Sequence, residues 1–435
     1  MSPLLSAYLL DWAAMLLRWL HVVAGIAWIG ASFYFVWLDN QLQPPVDGAS
    51  ADPRLAGELW SVHGGGFYRS QKYRVAPAVL PPKLHWFYWE AYTTWLTGFG
   101  LLCLLYLLRA EVYLIDPSVA HLSKPQAIAI ALGFLAGGWL FYDGLCRSPL
   151  GRRPRWLALV ISAALALAAW GLCHLFSGRG AFMVFGAMLG SIMVANVLFV
   201  IIPGQRELVR AKQQGREPDP IPGMRGKQRS VHNTYFTLPV LFVMISNHYA
   251  MTYGARHNWL ILIALSFAGA SLRAWFVERQ KAESRGTPVP LLPAALGIAA
   301  LFLTALVLAP RHTAMTAGIA DPMNAAVGID LSANARADAA GPIDRDAVEH
   351  IVHQRCSPCH STVPTEAGFA APPNGLVFER LSQLSPHLSD VQTQLSTRAM
   401  PPGNLTALTE GERTLLLRWV AYQASRQDIH LEAKK

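Results

Sequence analysis

Apolar residues along this chain gather in eight runs, roughly residues 12–37, 86–108, 126–142, 156–176, 181–202, 234–253, 258–277 and 290–309. Most are about 18–25 residues long, the length at which an α-helix crosses a hydrocarbon core of about 30 Å. The third is the shortest, and the sixth carries Pro239, Asn247 and His248. The first is too long, and has the wrong flanks, for a cleaved signal peptide. The pattern then changes. Residues 311–341 are rich in Ala, Asp and Asn, with Gly318, Gly328 and Gly341, and show no strong period. They read as a mobile tether. Beyond them, Asp344 is placed to N-cap a helix whose apolar positions are Ala347, Val348, Ile351 and Val352. Thr409-x-x-Glu412 is a capping box that opens a closing helix with Leu415, Leu416, Trp419 and Val420 on one face. The expectation is an all-α chain: an eight-helix polytopic transmembrane domain over 1–310, a flexible linker over 311–341, and a small helical domain over 342–435.

Composition and charge sharpen this reading. The chain is 53% hydrophobic and 14% charged, too apolar for an ordinary soluble protein of its length. The connections after the first, third, fifth and seventh runs hold 19 Lys and Arg; those after the second, fourth and sixth hold 4. The positive-inside rule then puts the basic connections in the cytoplasm and both termini outside. The net charge of +9 therefore belongs to loops beside anionic lipid and does not point to nucleic acid.

Cys356-Ser-Pro-Cys359-His360 is a C-x-x-C-H run, the spacing at which two thiols add to the vinyl groups of one porphyrin with a histidine beneath the iron. A zinc or disulfide pair is the alternative, but no fourth zinc ligand lies at short spacing. Met400, in Arg398-Ala399-Met400-Pro401-Pro402-Gly403, is the natural sixth ligand. His/Met ligation leaves no open position for substrate, so this haem c carries electrons only. The small domain resembles a class I cytochrome c. Such haem is attached on the outer face of bacterial membranes, the same topology that the loop charges give. Cys103, Cys146 and Cys173 show no paired spacing and read as small apolar fillers.

Catalysis must then lie in the membrane domain, where ionisable residues are costly and are candidates by default. His21 lies about nine residues into the first run, with Ala24, Gly25, Trp28 and Ser32 on its face. That face has room for a flat group or a close helix. His248, beside Asn247, falls in the same outer half. The two are placed to ligate a haem b, or each to hydrogen-bond a neighbouring helix. A second cluster faces the cytoplasm: His63 before Gly64-Gly65-Gly66, then His85-Trp86, Glu90 and His232-Asn233-Thr234-Tyr235, with Arg69, Lys72 and Arg74 suited to an anion. Glu90 is the best base by chemistry. Headgroup contacts and helix caps would account equally for these residues taken one at a time. Asp39 reads as an interfacial charge; Asp143 and Asn196 cannot be placed from the sequence.

Trp19-Leu20-His21-Val22-Val23-Ala24-Gly25-Ile26-Ala27-Trp28-Ile29-Gly30, Trp60-Ser61-Val62-His63-Gly64-Gly65-Gly66-Phe67, Trp89-Glu90-Ala91-Tyr92-Thr93-Thr94-Trp95, His232-Asn233-Thr234-Tyr235-Phe236-Thr237-Leu238-Pro239 and Met244-Ile245-Ser246-Asn247-His248-Tyr249 resemble the bacterial membrane-bound urate oxidases, which join eight spans to a C-terminal cytochrome c. The resemblance implies a multi-pass protein of the bacterial inner membrane with a periplasmic cytochrome domain. It implies oxidation of urate to 5-hydroxyisourate. Electrons would pass to the chain's own haem and on to a downstream cytochrome or terminal oxidase. The first run also resembles the leading helix of membrane protoporphyrinogen oxidases, which supports His21 as a ligand of a b haem by analogy. Two other classes stay open: a quinol- or respiratory-linked electron carrier without urate chemistry, and a redox-gated transporter. No inverted repeat favours the transporter.

Overall fold

The computed structural model describes residues 3–45, 52–309, 343–366, 369 and 371–432. The linker expected over 311–341 lies outside the described residues. The fold is mostly helical. Each of the eight apolar runs sits in a helix: α1 (Pro3–Gln41), α2 (Trp89–Leu101, continued by a π-helical stretch Leu102–Leu107), α4 (Lys124–Arg147), α5 (Pro154–Cys173), α6 (Gly178–Asn196), α8 (Pro220–Ser246), α10 (Asn258–Arg285) and α11 (Leu292–Leu308). Two short helices, α3 (Ala110–Tyr113) and α9 (Ala250–Tyr253), follow α2 and α8, and α7 (Ile202–Gln213) extends α6 through a π-helical stretch. By length and composition, Tyr8–Gln41, Lys124–Arg147, Pro154–Cys173, Gly178–Gln213 and Asn258–Arg285 suffice to cross a membrane, while Leu292–Leu308 is apolar but shorter. The sixth run differs from its expected bounds: α8 starts at Pro220, with Asp219 as its N-cap, and ends at Ser246.

α6 is the axis of the bundle. Most of its residues are buried, and α2, α4, α5 and α8 pack around it. α10 packs on α8, and α1 and α11 pack on α10. Small residues let the backbones approach. A Cβ on Gly186 would stand 2.6 Å from Val243, and one on Gly297 would stand 2.9 Å from Leu272. The outer faces are apolar, with Trp156, Leu159 and Leu167 of α5 and Leu296, Ile298 and Phe302 of α11 exposed. A surface of this kind is stable beside lipid tails and costly in water.

One element departs from the all-α expectation. β1 (Leu55–His63) and β2 (Gly66–Tyr73) form an antiparallel hairpin. Gly64 and Gly65 have φ of 57° and 80°, the left-handed pair that a two-residue hairpin turn demands. Buried Glu58 pairs with Arg69 at 2.7 Å, and its backbone exchanges two hydrogen bonds with Gln43, pinning the hairpin to the end of α1.

The C-terminal unit has its own apolar cluster, built by α12 (Arg345–Arg355), α13 (Leu381–Leu384), α14 (Leu388–Ser396) and α15 (Glu410–Glu432). Asp344 caps α12 by accepting from the Asp346 and Ala347 N–H groups, and Thr409 with Glu412 closes a reciprocal cap on α15. The two ends of the bundle differ. The hairpin and the basic connections lie at one end. The connections after α2, α5 and α8 lie at the other, against the C-terminal unit.

Candidate functional site

A cleft of about 1320 Å³ opens at the basic end, between α1, the hairpin, the segment before α2, the α6–α7 junction, α8 and α10. Trp28, Phe35, Trp86, Phe87 and Tyr235 give it aromatic walls, and Asn233 and Thr234 give it polar ones. Its lining carries four cations, Lys72, Arg74, Lys227 and Lys281, against one carboxylate, Asp39. Asp39 is paired with Lys72 at 2.5 Å, and Lys281 with Glu278 at 2.7 Å. Among the described residues Arg74 and Lys227 carry no ion pair, so the cleft is left electropositive. One turn below Val277 on α10 is Arg273, only 2% exposed, its guanidinium 3.7 Å from the Phe33 ring. Its Nε and Nη2 have no hydrogen-bond partner among the described residues. An unpaired buried cation at this depth is costly unless an anion joins it.

Behind the cleft wall runs a chain of buried polar groups. Asn233 donates to the Met193 carbonyl at 3.0 Å and accepts from Asn196 Nδ2 at 2.8 Å. The same Nδ2 donates to the Tyr142 hydroxyl at 3.2 Å. The Tyr142 hydroxyl is hydrogen-bonded to His232 Nδ1 at 2.6 Å. Arg229, 3% exposed, covers the Tyr142 ring at 5.0 Å and pairs with Asp143 at 2.7 Å.

The four proposed catalytic residues separate. His85 lines the cleft, its ring 4.7 Å from Phe87. His232 does not line the cleft and is linked to it by hydrogen bonds through Tyr142, Asn196 and Asn233. Glu90 is half-buried in the first turn of α2 and does not line the cleft. His63 is exposed at the hairpin tip, and nothing lies within 4 Å of where a Cβ on Gly64 or Gly65 would stand. Those glycines serve the turn. The face of α1 below His21 is occupied by a close helix, α2. His21 Nδ1 donates to the Thr94 carbonyl at 2.9 Å, and its ring lies against Gly98, where a Cβ would stand 2.7 Å from Cε1. His248 is exposed in the turn after α8. Its neighbour Asn247 bonds Tyr106, eight residues and about 12 Å along α2 from Gly98. His21 Nε2 carries no hydrogen bond among the described residues, and His248 lies in the turn after α8; a haem b on the pair is left as an expectation, and no step is derived through such a group.

The C-terminal motif closes on itself. His360 Nδ1 donates to the Leu376 carbonyl at 3.0 Å, which leaves Nε2 with its lone pair, and Phe378 lies over the ring at 5.0 Å. Burial pushes the Cys356 thiol up to about 12 and the Cys359 thiol up to about 11, so both stay protonated beside the apolar cluster. Burial also lowers His360, against the opposing pull of the Leu376 carbonyl, and favours the neutral, ligating form. Among the described residues no three His, Cys, Asp or Glu side chains gather as a metal cage, which leaves a zinc reading without its ligands. Two thiols, a histidine with its outer nitrogen free and half-buried Met400 on the loop after α14 are a donor set that fits a covalently held haem c.

The family model described as Urate oxidase N-terminal matches residues 7–308. The chain belongs to that family. No curated protein and no solved structure matches it. The match ends with α11, before the C-terminal unit begins.

For a urate oxidase family member, the residues that sequence reasoning missed are the ones that give the cleft its charge and depth. Lys227 and Lys281 read as loop charges, and Arg273 was hidden near the end of the seventh run. Its signal was available: a lone arginine four residues inside that run. Asp143 and Asn196 find their place through Tyr142 and Arg229, neither of which is chemically conspicuous in a helix.

Proposed function

We propose that this chain oxidises urate to 5-hydroxyisourate in the basic cleft and passes the electrons to a c-type haem on its C-terminal unit. The observation that carries the reading is an aromatic-walled, electropositive cleft in a member of the urate oxidase N-terminal family. At neutral pH urate is a planar anion. Trp28, Trp86 and Tyr235 offer faces for stacking, and Arg74, Lys227 and the deeper Arg273 offer charge. Asn233, with one N–H uncommitted, orients a ring carbonyl. Urate anion and water become neutral 5-hydroxyisourate, one proton and two electrons. His85, the histidine that lines the cleft, takes the proton, and His232 acts through Asn233 as a positioning residue. A haem held by Cys356, Cys359, His360 and Met400 would supply one-electron acceptance, so the two electrons leave singly. The cationic end faces the cytoplasm of a bacterial inner membrane, the C-terminal unit faces the periplasm, and a downstream cytochrome or terminal oxidase receives the electrons.

The test is a visible spectrum of the purified protein. Urate is expected to reduce the haem without forming hydrogen peroxide, and Cys356→Ala to lose both haem staining and reduction. Reduction by quinol but not by urate would favour a respiratory electron carrier. Reduction by neither, with labelled urate entering vesicles, would favour transport.

A further inference from the structure

The C-terminal unit is seated on the bundle at two places where only hydrogen fits. Gly254 closes α9 and faces the end of α14, and a Cβ on it would stand 2.6 Å from the Thr397 Cβ. Gly403 lies over the carbonyl end of α3, and a Cβ on it would stand 2.6 Å from the Ile115 oxygen and 3.1 Å from the Glu111 oxygen. Between them Ala399 packs against the bundle core. These three contacts bracket Met400. The surface beneath is braced: Ser177 Oγ donates to the Tyr113 carbonyl at 2.8 Å, and Arg179 donates to the Tyr253 hydroxyl at 2.9 Å. A chamber of about 540 Å³ runs along the seam, with Tyr113, Arg179 and Thr397 in its wall.

A domain that works by swinging on a tether has no use for backbone contacts this close, because any side chain at Gly254 or Gly403 would lift it away. We propose that the C-terminal unit works clamped, and that the segment Thr397–Gly403 seated on α3 and α9 is the fixed port by which electrons enter it, Met400 side inward. A haem held by Cys356, Cys359, His360 and Met400 would accept one electron at each passage, with no atom transferred. The electron direction rests on the proposed function; the clamp does not.

Two measurements on the full chain in membranes test this. In a Cys173→Ala background, a Ser118→Cys/Arg398→Cys pair puts one thiol on each side of the chamber and leaves both glycines in place. A short bis-methanethiosulfonate is expected to cross-link the pair, seen as a band shift that reductant reverses, while either single variant does not. The locked protein is expected to keep the wild-type rate of haem reduction by urate. A Gly254→Leu wedge is expected to slow that reduction by about tenfold or more, the effect of about 1.4 kcal/mol of undocking, with dithionite reduction and the haem spectrum unchanged. No cross-link would overturn the clamp. A cross-linked protein that urate no longer reduces, but that recovers on adding thiol, would overturn the port and make the seated form a resting state. If urate fails to reduce the wild type as well, the functional reading has failed, and the cross-link still decides the clamp.

Discussion

Asp143→Asn is the sharpest test of the buried network. Asp143 accepts from Arg229 at 2.7 Å and from exposed Arg147 at 2.5 Å. Arg229 is almost wholly enclosed, and its Nε and Nη1 already have no hydrogen-bond partner among the described residues. Neutralising Asp143 strips the one carboxylate paired with that guanidinium. Two unit charges about 4 Å apart at an effective dielectric of about 20 attract by about 4 kcal/mol, and breaking one side of a buried pair costs about 3–5 kcal/mol. Arg229→Met should cost less, because Arg147 stays on Asp143 and the thioether fills the space over Tyr142. The double variant should cost less than Asp143→Asn alone, since no buried charge is then left over. Thermal unfolding of the detergent-solubilised protein, followed by circular dichroism, reads all three. An Asp143→Asn variant within about 1 kcal/mol of wild type, or a double variant equal to the sum of the singles, would refute the pairing argument.

Three further outcomes are expected. Arg273→Gln should raise the KM for urate by about tenfold or more with a smaller change in kcat, and Arg273→Lys should restore part of it; steady-state haem reduction separates the two, and unchanged KM would remove Arg273 from the substrate's surroundings. Gly186→Val places a side chain against Val243 at the α6–α8 crossing and should cost about 1–3 kcal/mol, whereas Gly133→Ala, with nothing within 4 Å, should cost little; equal melting temperatures would contradict the packing. Burial alone pushes the Glu412 carboxyl up, but the Thr409 N–H, Arg355 and the Thr409 hydroxyl outweigh it and hold it below the usual range. Its contribution is therefore present above the unfolded pKa and is lost as pH falls through the lowered folded one. Glu412→Gln should destabilise the C-terminal unit near neutral pH and lose that effect as pH falls through the lowered folded value; a melting-temperature difference that does not change with pH would refute this.

The helices were legible because burial in a bundle leaves a long apolar run at each of them, and no tertiary knowledge is needed to see it. The Asp344 cap and the Thr409–Glu412 box were legible for the same reason: caps are local. The hairpin was not. Val62, Phe67 and Tyr68 are exposed and the strands carry no clean alternation, so Gly64 and Gly65 read as part of the polar cluster around His63 and not as a turn. The candidate site was half legible. His85 and Lys72 share a cleft with Asn233 as their common face implied, while Glu90 and His63, equally close in sequence, point elsewhere.

The sequence by itself determined the local things: eight helical runs, their end-to-end charge bias and a thiol-thiol-histidine motif in C-x-x-C-H spacing. Only the tertiary structure decided that His21 spends its face on α2, that Arg273 lies unpaired beneath a basic cleft, that His232 is tied to Asn233 through Tyr142 and Asn196, and that two glycines let the C-terminal unit sit directly on the bundle. The reason is physical. A period or a motif is set by neighbours along the chain. A cleft, an orphaned guanidinium or a seam where only hydrogen fits is set by residues a hundred positions apart, and no local pattern encodes their distance.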